Sequence, residues 1–432
     1  MKLVISAYLT YAAYIIIMLY SSSNTFAFNH LSKNSGDSTD NTVPELKHQE
    51  SPNSTSYSRK ETLAPNKTPL ILVWIPPYHW PRKWSLPDTP LCGGGCDITT
   101  DRSRIKESSA AVFYMKATTA KDIPSSRTAD QLFVWWCHES PWTVNHYYHK
   151  TLDQHDDYFN MTMHLRSDSD ITAMLMPHSA RDWYLHRVGR GDETSLPVQK
   201  PYTTEEEFNI MFEELYALKT GKAAWLISDC DVTHGATKRL KFGRAIMERG
   251  NFPVDLMGKC GTNELPPNNT VAMEILQKYK FYFAFENTER CEEFITSHFW
   301  YNSLYAGVVP VVWGSDRSSY ERVAPPESFI HAADFDYDPV MLANYLKIVD
   351  RDKERYKSYF KWWYTSPGFY PVLNFRESPD FRNRMQDNIF DLEVNGFCHL
   401  CYRLRKMVYK TPSIVEDLRK EFYEKENKTC YT

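Results

Sequence analysis

The stretch Tyr279–Gly314, YKFYFAFENTERCEEFITSHFWYNSLYAGVVPVVWG, limits the possible folds more than any other part of the chain. Phe281–Phe285 is a short continuous apolar run, which predicts a strand buried on both faces. Five polar residues, Glu286 to Arg290, follow at once. A helical pattern then starts near Glu292, with Phe294, Ile295, Phe299 and Leu304 on one side and Gly307 as its C-terminal stop. Val308–Trp313 is a second buried run. Strand, helix and strand in that order make a βαβ unit, and such units bind ligands at polar loops like this one. The plain alternative is a structural unit with a solvated loop.

Before this stretch the chain shows three further signs of its setting. Leu3–Tyr20 is nearly all apolar and just long enough to span a bilayer, which takes about 20 residues. It reads as an uncleaved anchor with its N-terminus in the cytosol, the competing reading being a signal peptide cleaved near Ala27. Sequons start at Asn53, Asn66, Asn160, Asn268 and Asn427, which marks a secreted or lumenal chain. Nine cysteines include the close pairs Cys92 with Cys96 and Cys398 with Cys401. In an oxidising compartment these are disulfides rather than zinc ligands, and an odd total leaves one over. We pair Cys398 and Cys401 with Cys92 and Cys96, which ties the end of the chain to its beginning. A formal net charge of -4 excludes a dedicated nucleic-acid surface.

Residues 21–67 are Ser-, Asn-, Thr- and Pro-rich and too poor in apolar residues to fold, so they form a stem. Strands are expected at Leu70–Trp74, Ala111–Met115 and Gln131–Cys137. The last runs into His138-Glu139-Ser140-Pro141, which puts Glu139 at a strand end, where a carboxylate faces either a cleft or solvent. Asp168-Ser169-Asp170 has the D-x-D form that can hold a metal–nucleotide complex, although such triplets are common by chance. Thr204–Ala217 is an amphipathic helix opened by a Thr204/Glu207 capping box. From Ala223 onward strands and helices alternate, with helices at Ala236–Glu248, Val271–Gln277, Pro339–Val349 and Lys353–Trp363. That alternation predicts a parallel sheet covered on both faces. The fold class is therefore α/β, in two Rossmann-like halves divided near residue 220.

Taken together, YKFYFAFEN, VVPVVWG, YERVAPPESFIH, YFNMTMHLRSDSDI, HESP, ISDC and the terminal CxxC resemble the Golgi α1,3/α1,4-fucosyltransferases over about residues 70–402. The resemblance implies a GT-B fold: two facing Rossmann-like domains with a cleft between them, after an N-terminal transmembrane anchor. It assigns residues 1–2 to the cytosol, 3–20 to the signal-anchor, 21–67 to the stem, 68–219 to an acceptor-side domain, 220–402 to a GDP-fucose-binding domain and 403–432 to a charged tail. It implies an inverting transfer of L-fucose from GDP-β-L-fucose to a hydroxyl, O3 in the common case, of GlcNAc in a glycoprotein glycan. It further implies a type II Golgi membrane protein with its catalytic part lumenal, no required cofactor and no metal. Asp168 and Asp170 then become structural or acceptor-side residues.

The same resemblance assigns roles. An acceptor hydroxyl is a weak nucleophile and needs a carboxylate to take its proton, and Glu139 is the family's base. Negative charge builds on the departing GDP and calls for cations and donors around the diphosphate. Arg239, Tyr282, Glu286, Asn287 and His298 fall on the donor-site positions, with Glu286 as a ligand positioner. The usual I-T-E-K-L-W continuation reads here Ile295-Thr296-Ser297-His298-Phe299-Trp300, and Asp229 stands where Asn is usual. His298 would take up charge in a mildly acidic lumen beside phosphate. The replacement also supports an alternative: a non-catalytic relative that binds glycan or regulates another enzyme.

Overall fold

The computed structural model describes residues 68–77, 95–115, 122–124, 127–174, 204–266, 269–366, 390–406, 414–424 and 430. Leu3–Tyr20, the stem, Cys92, Asn53, Asn66, Asn268 and Asn427 lie outside them. Among the described residues no helix is long and apolar enough to cross a membrane.

Two parallel sheets organise the chain. In the first, β1 (Leu70–Ile75), β2 (Asp97–Thr99), β3 (Ala110–Tyr114), β4 (Leu132–Trp136), β5 (Met161–His164) and β6 (Ile171–Thr172) lie in the order β2-β1-β3-β4-β5-β6. In the second, β7 (Gly221–Leu226), β8 (Val254–Met257), β9 (Tyr279–Phe285), β10 (Val309–Trp313) and β11 (Ile330–His331) lie in the order β11-β10-β9-β7-β8. All the pairings are parallel. This is the α/β class that the alternating pattern predicts. β9 is central, flanked by β10 and β7, and Phe281 to Phe285 are all buried because helices cover both faces.

Local signals set several helices as expected. Thr204 caps Glu205–Ala217 with a complete capping box. Asp338 caps Pro339–Arg351, with Pro339 in the first turn. Gly307 adopts φ 65° after the Trp300–Tyr305 turn, a conformation that favours glycine.

Four expectations are corrected. No helix starts near Glu292: Arg290 and Glu293 adopt φ 55° and 57°, and helix begins only at Ser297, capped by Thr296. The side chains of that loop are held by distant partners, and those ties override its local helical pattern. The Lys353–Trp363 helix is broken into Lys353–Ser358 and Trp362–Thr365, and the break lets Phe360, Trp362 and Trp363 all be buried. The division near residue 220 also moves. Phe208, Phe212 and Leu215 pack into the second core, whereas Phe397, Leu400 and Leu404 of the helix Phe390–Lys406 return to the first. Finally, part of the segment expected to be a charged tail packs inside: Leu418 and Phe422 are buried in the first core.

Disulfides reinforce this path. Cys96 bonds Cys401, as one of the expected pairs, and Cys398 is also disulfide-bonded. Cys230–Cys260 and Cys291–Cys430 were not foreseen, and Cys137 is the buried free thiol. Among the glycosylation candidates Asn160 is buried, and its side-chain oxygen accepts from Phe133 N and from Arg127, each at 2.9 Å. It ties β4 to the start of β5, a structural task that competes with carrying a glycan.

Candidate functional site

The strand order reverses between β7 and β9, because β8 lies to one side of β7 and the chain then crosses to the other. In parallel sheets the carboxyl ends at such a reversal diverge and leave a crevice. Asp229 and Thr233 follow β7, and Glu286 and Asn287 follow β9, so these residues line that crevice. Asp229 accepts from Val232 N at 2.9 Å, and Thr233 Oγ1 lies 2.6 Å from Asp229 Oδ2 and 2.8 Å from Asn287 O. Asp229 therefore shapes the turn into the helix His234–Glu248. Gly235 lets that helix approach, since a Cβ there would sit 2.5 Å from Asn287 O.

Arg239 lies on the same helix and is 3% exposed. Its amino groups donate to Phe285 O at 2.7 Å and Asp229 O at 3.0 Å. It clamps the ends of β7 and β9 together with one N–H from each amino group, while its buried Nε has no partner among the described residues. Burial holds its pKa down, opposed by the nearby charges of Glu286, Asp229 and Tyr282. Its cation sits behind the crevice and acts as a fixed field.

Tyr282, Glu286 and His298 are brought together around it. The Tyr282 hydroxyl lies 2.8 Å from His298 Nδ1 and accepts from Asn302 Nδ2 at 3.0 Å. Burial pushes the His298 pKa down to about 4, with Arg239 adding to the effect. The lowered pKa favours the neutral imidazole in this arrangement. Glu286, 1% exposed, accepts from Thr296 N at 2.8 Å and Thr296 Oγ1 at 3.0 Å. Burial raises its pKa to about 7, although the Thr296 bonds and Arg239 favour the carboxylate. Thr296 in turn caps the turn that carries His298. Glu286 thus positions His298 through one intermediate residue.

Glu139 leaves the end of β4 in the first core. Its backbone N lies 3.4 Å from Cys137 Sγ, and that thiol lies 3.5 Å from Glu139 O. Tyr148 is close enough for the Glu139 charge to help raise its pKa, behind the larger effect of burial. Next along, Ser140 Oγ lies 2.9 Å from Thr143 Oγ1 and 3.0 Å from Thr288 Oγ1. The residue after Glu139 therefore touches the residue after Asn287, and the two predicted half-sites meet.

A second tie lies beside the first. Ser167 donates through N at 2.6 Å and Oγ at 2.8 Å to the buried Glu293 carboxylate, which also receives Arg322. Asp168 pairs with Arg166 at 3.0 Å, and Asp170 accepts from Thr162 N at 2.9 Å, so both aspartates are occupied within the first core. Among the described residues no group of three or more His, Cys, Asp or Glu is arranged to hold a metal.

Sequence reasoning missed Thr296, Asn302, Ser140, Thr288 and Glu293. Asn302 had a usable signal, four residues after His298 on a helical turn. The other contacts join segments far apart in the chain.

Two family profiles match, "Fucosyltransferase, N-terminal" over residues 66–175 and "Glycosyltransferase family 10 (fucosyltransferase) C-term" over residues 216–421. The chain is 34% identical over 310 residues to the 3-galactosyl-N-acetylglucosaminide 4-alpha-L-fucosyltransferase FUT3 of Pan troglodytes, covering 71% of this chain and 73% of that protein. It is 31% identical over 369 residues to the 4-galactosyl-N-acetylglucosaminide 3-alpha-L-fucosyltransferase FUT6 of the same species, covering 84% and 86%. The human 4-galactosyl-N-acetylglucosaminide 3-alpha-L-fucosyltransferase FUT5 is 32% identical over 344 residues, covering 78% and 82%.

Proposed function

The chain belongs to glycosyltransferase family 10, the fucosyltransferases, and from that premise we propose that it moves L-fucose from GDP-β-L-fucose to a GlcNAc hydroxyl of a glycoprotein glycan. The observation that carries this reading is the 3.0 Å contact of Ser140 with Thr288, which sets Glu139 beside the crevice of the second sheet. The two parallel sheets are then a GT-B pair, with the donor in the second half and the acceptor entering from the first. A Golgi position with the catalytic part lumenal fits the sequons and disulfides.

The reaction follows from that arrangement. The acceptor oxygen forms a bond to the fucose anomeric carbon as the bond from that carbon to the phosphate oxygen breaks. Attack comes from the face opposite the leaving group, so the configuration inverts. The hydroxyl proton passes to the Glu139 carboxylate. The bonding pair leaves with GDP, whose growing charge meets the Arg239 field and the polar group of Tyr282, His298 and Asn302. Cys137 holds the Glu139 backbone in place. Glu286 acts as a positioner and not as a second base, because its oxygens are committed to Thr296.

The test is GDP release by the purified full-length chain given GDP-fucose and a GlcNAc-terminated acceptor. Glu139→Gln should remove turnover while leaving GDP binding within about twofold, since general-base loss alone costs on the order of 10²–10⁴ in rate. Full activity in Glu139→Gln would exclude it as the base.

One observation favours a second reading. Ser297 and His298 stand where the resemblance to the family leads one to expect Glu and Lys, and burial lowers the imidazole's pKa. A non-catalytic member that binds glycan would keep the fold and lose the donor. Calorimetry separates the two: no heat with millimolar GDP-fucose, in a folded sample, selects the non-catalytic reading.

A further inference from the structure

The neighbours of His298 decide which of its two ring nitrogens carries hydrogen. The Tyr282 hydroxyl lies 2.8 Å from Nδ1. Asn302 Nδ2 donates to that hydroxyl at 3.0 Å and lies 3.3 Å from Nδ1. An amide nitrogen only donates, so the hydroxyl oxygen accepts from Asn302 and its own hydrogen is left for Nδ1. Burial keeps that hydroxyl protonated. Two donors thus converge on Nδ1, which is the accepting nitrogen, and the ring hydrogen sits on Nε2. The Tyr282 and His298 rings are nearly parallel, 18° apart, which places Nε2 on the side of the imidazole away from the pair. Among the described residues Nε2 has no hydrogen-bond partner, and it is not sealed from solvent.

The cluster stands at the crevice. Tyr282 pairs with Ala224 in the sheet, and its hydroxyl reaches forward to the backbone of Leu226, the last residue of β7. The charged groups around His298 are Arg239, from the helix after β7, and Glu286, which acts through Thr296. Resting on the reading that this crevice receives a nucleoside-diphosphate sugar, we infer that Tyr282 and Asn302 fix the His298 hydrogen on Nε2, so that the ring meets the donor diphosphate as a neutral hydrogen-bond donor. Asn302 is the positioning residue of this arrangement, because it turns the Tyr282 hydroxyl toward Nδ1. A second proton on Nδ1 would face two donors with a third, and both would have to rotate away. The neutral N–H still bonds a phosphate oxygen, while Arg239 supplies the field.

Nitrogen NMR of the full-length chain labelled at histidine tests the lock, with the His298 signals identified by their loss in His298→Ala. Wild type should show Nδ1 bare and Nε2 protonated from about pH 5.5 to about pH 7.5, with and without GDP-fucose. Asn302→Asp puts an acceptor at Nδ1, and both nitrogens should then carry hydrogen at the acid end. In calorimetry, His298→Ala should bind GDP-fucose about tenfold more weakly than wild type, by the same factor at both pH values. His298→Gln keeps a neutral N–H and should recover most of that loss. Glu286 titrates in the same range in all three proteins, so the ratio of affinities is the measure. A doubly protonated ring in wild type, or a ratio that grows several-fold toward acid pH, overturns the inference and leaves the proposed function standing. A ring still protonated on Nε2 alone in Asn302→Asp removes Asn302 from the positioning role. Absence of GDP-fucose binding by wild type overturns both readings.

Discussion

Glu286 offers the sharpest test of the site's electrostatics. Its carboxyl is buried beneath the crevice with a pKa near 7, against an ordinary value of 4.5. The sign follows from proton binding. Between those values the folded state holds a proton that the unfolded state has lost, so stability falls as pH rises from about 4.5 through 7. Integration with those two pKa values gives a cost of about 1 kcal/mol at pH 5 and about 3 kcal/mol at pH 7.5. Glu286→Gln keeps the shape and one acceptor for Thr296 but cannot ionise. Its stability relative to wild type should therefore improve by about 2 kcal/mol between pH 5 and pH 7.5. For a cooperative unit the size of the second core this is a relative shift of about 5–10 °C in Tm. Non-reducing thermal melts of both proteins at the two pH values measure it. A Tm difference that does not change with pH would refute the claim that burial dominates at Glu286. Donor affinity should fall in the same variant, because the turn carrying His298 loses a charge-assisted support.

Two other perturbations probe the ties between the cores. Cys430→Ser opens the Cys291–Cys430 bridge to the donor loop and should raise KM for GDP-fucose several-fold with kcat less affected, read from initial rates; equal loss in both would point to the base side instead. Glu293→Gln removes the charge that Ser167 and Arg322 share and should destabilise the protein by about 3 kcal/mol in non-reducing denaturant melts.

Much of the second half was legible in its residues because local pattern and tertiary demand agree there. Phe281–Phe285 is apolar on both faces and becomes the central strand; Thr204 and Glu207 form the capping box they spell; Gly307 takes the left-handed turn. The sequence also singled out Glu139, Tyr282, Glu286 and Asn287; the last three lie in or just after β9, and the neighbour of Glu139, Ser140, touches Thr288 in the same loop. It misled where distant groups decide. Residues 292–296 have a helical pattern, yet Glu293 is drawn to Ser167 and Cys291 to Cys430. Arg239 has the helix position of a phosphate ligand, and its further tie to two strand ends could not be read from that position. His298 has an ordinary pKa that suits charging, and its burial next to a cation, which favours the neutral ring, cannot be read from the sequence. None of these contacts leaves a mark in nearby sequence.

The return of the helix Phe390–Lys406 to the first core has a consequence for synthesis. The second core draws on Met174 and on Phe208 to Trp363, all made before Phe397, where the last residues that the first core needs begin. The first core needs Leu404, Leu418 and Phe422 as well as its own strands, and one of its disulfides spans a sequence separation of 305. On a ribosome adding about 5–20 residues per second, β6 therefore waits roughly 12–50 s for its last packing partners. The half made first is finished last. During that interval Trp135, Trp136 and the thiol of Cys137 lack part of the core that finally buries them, which is when wrong partners can reach them.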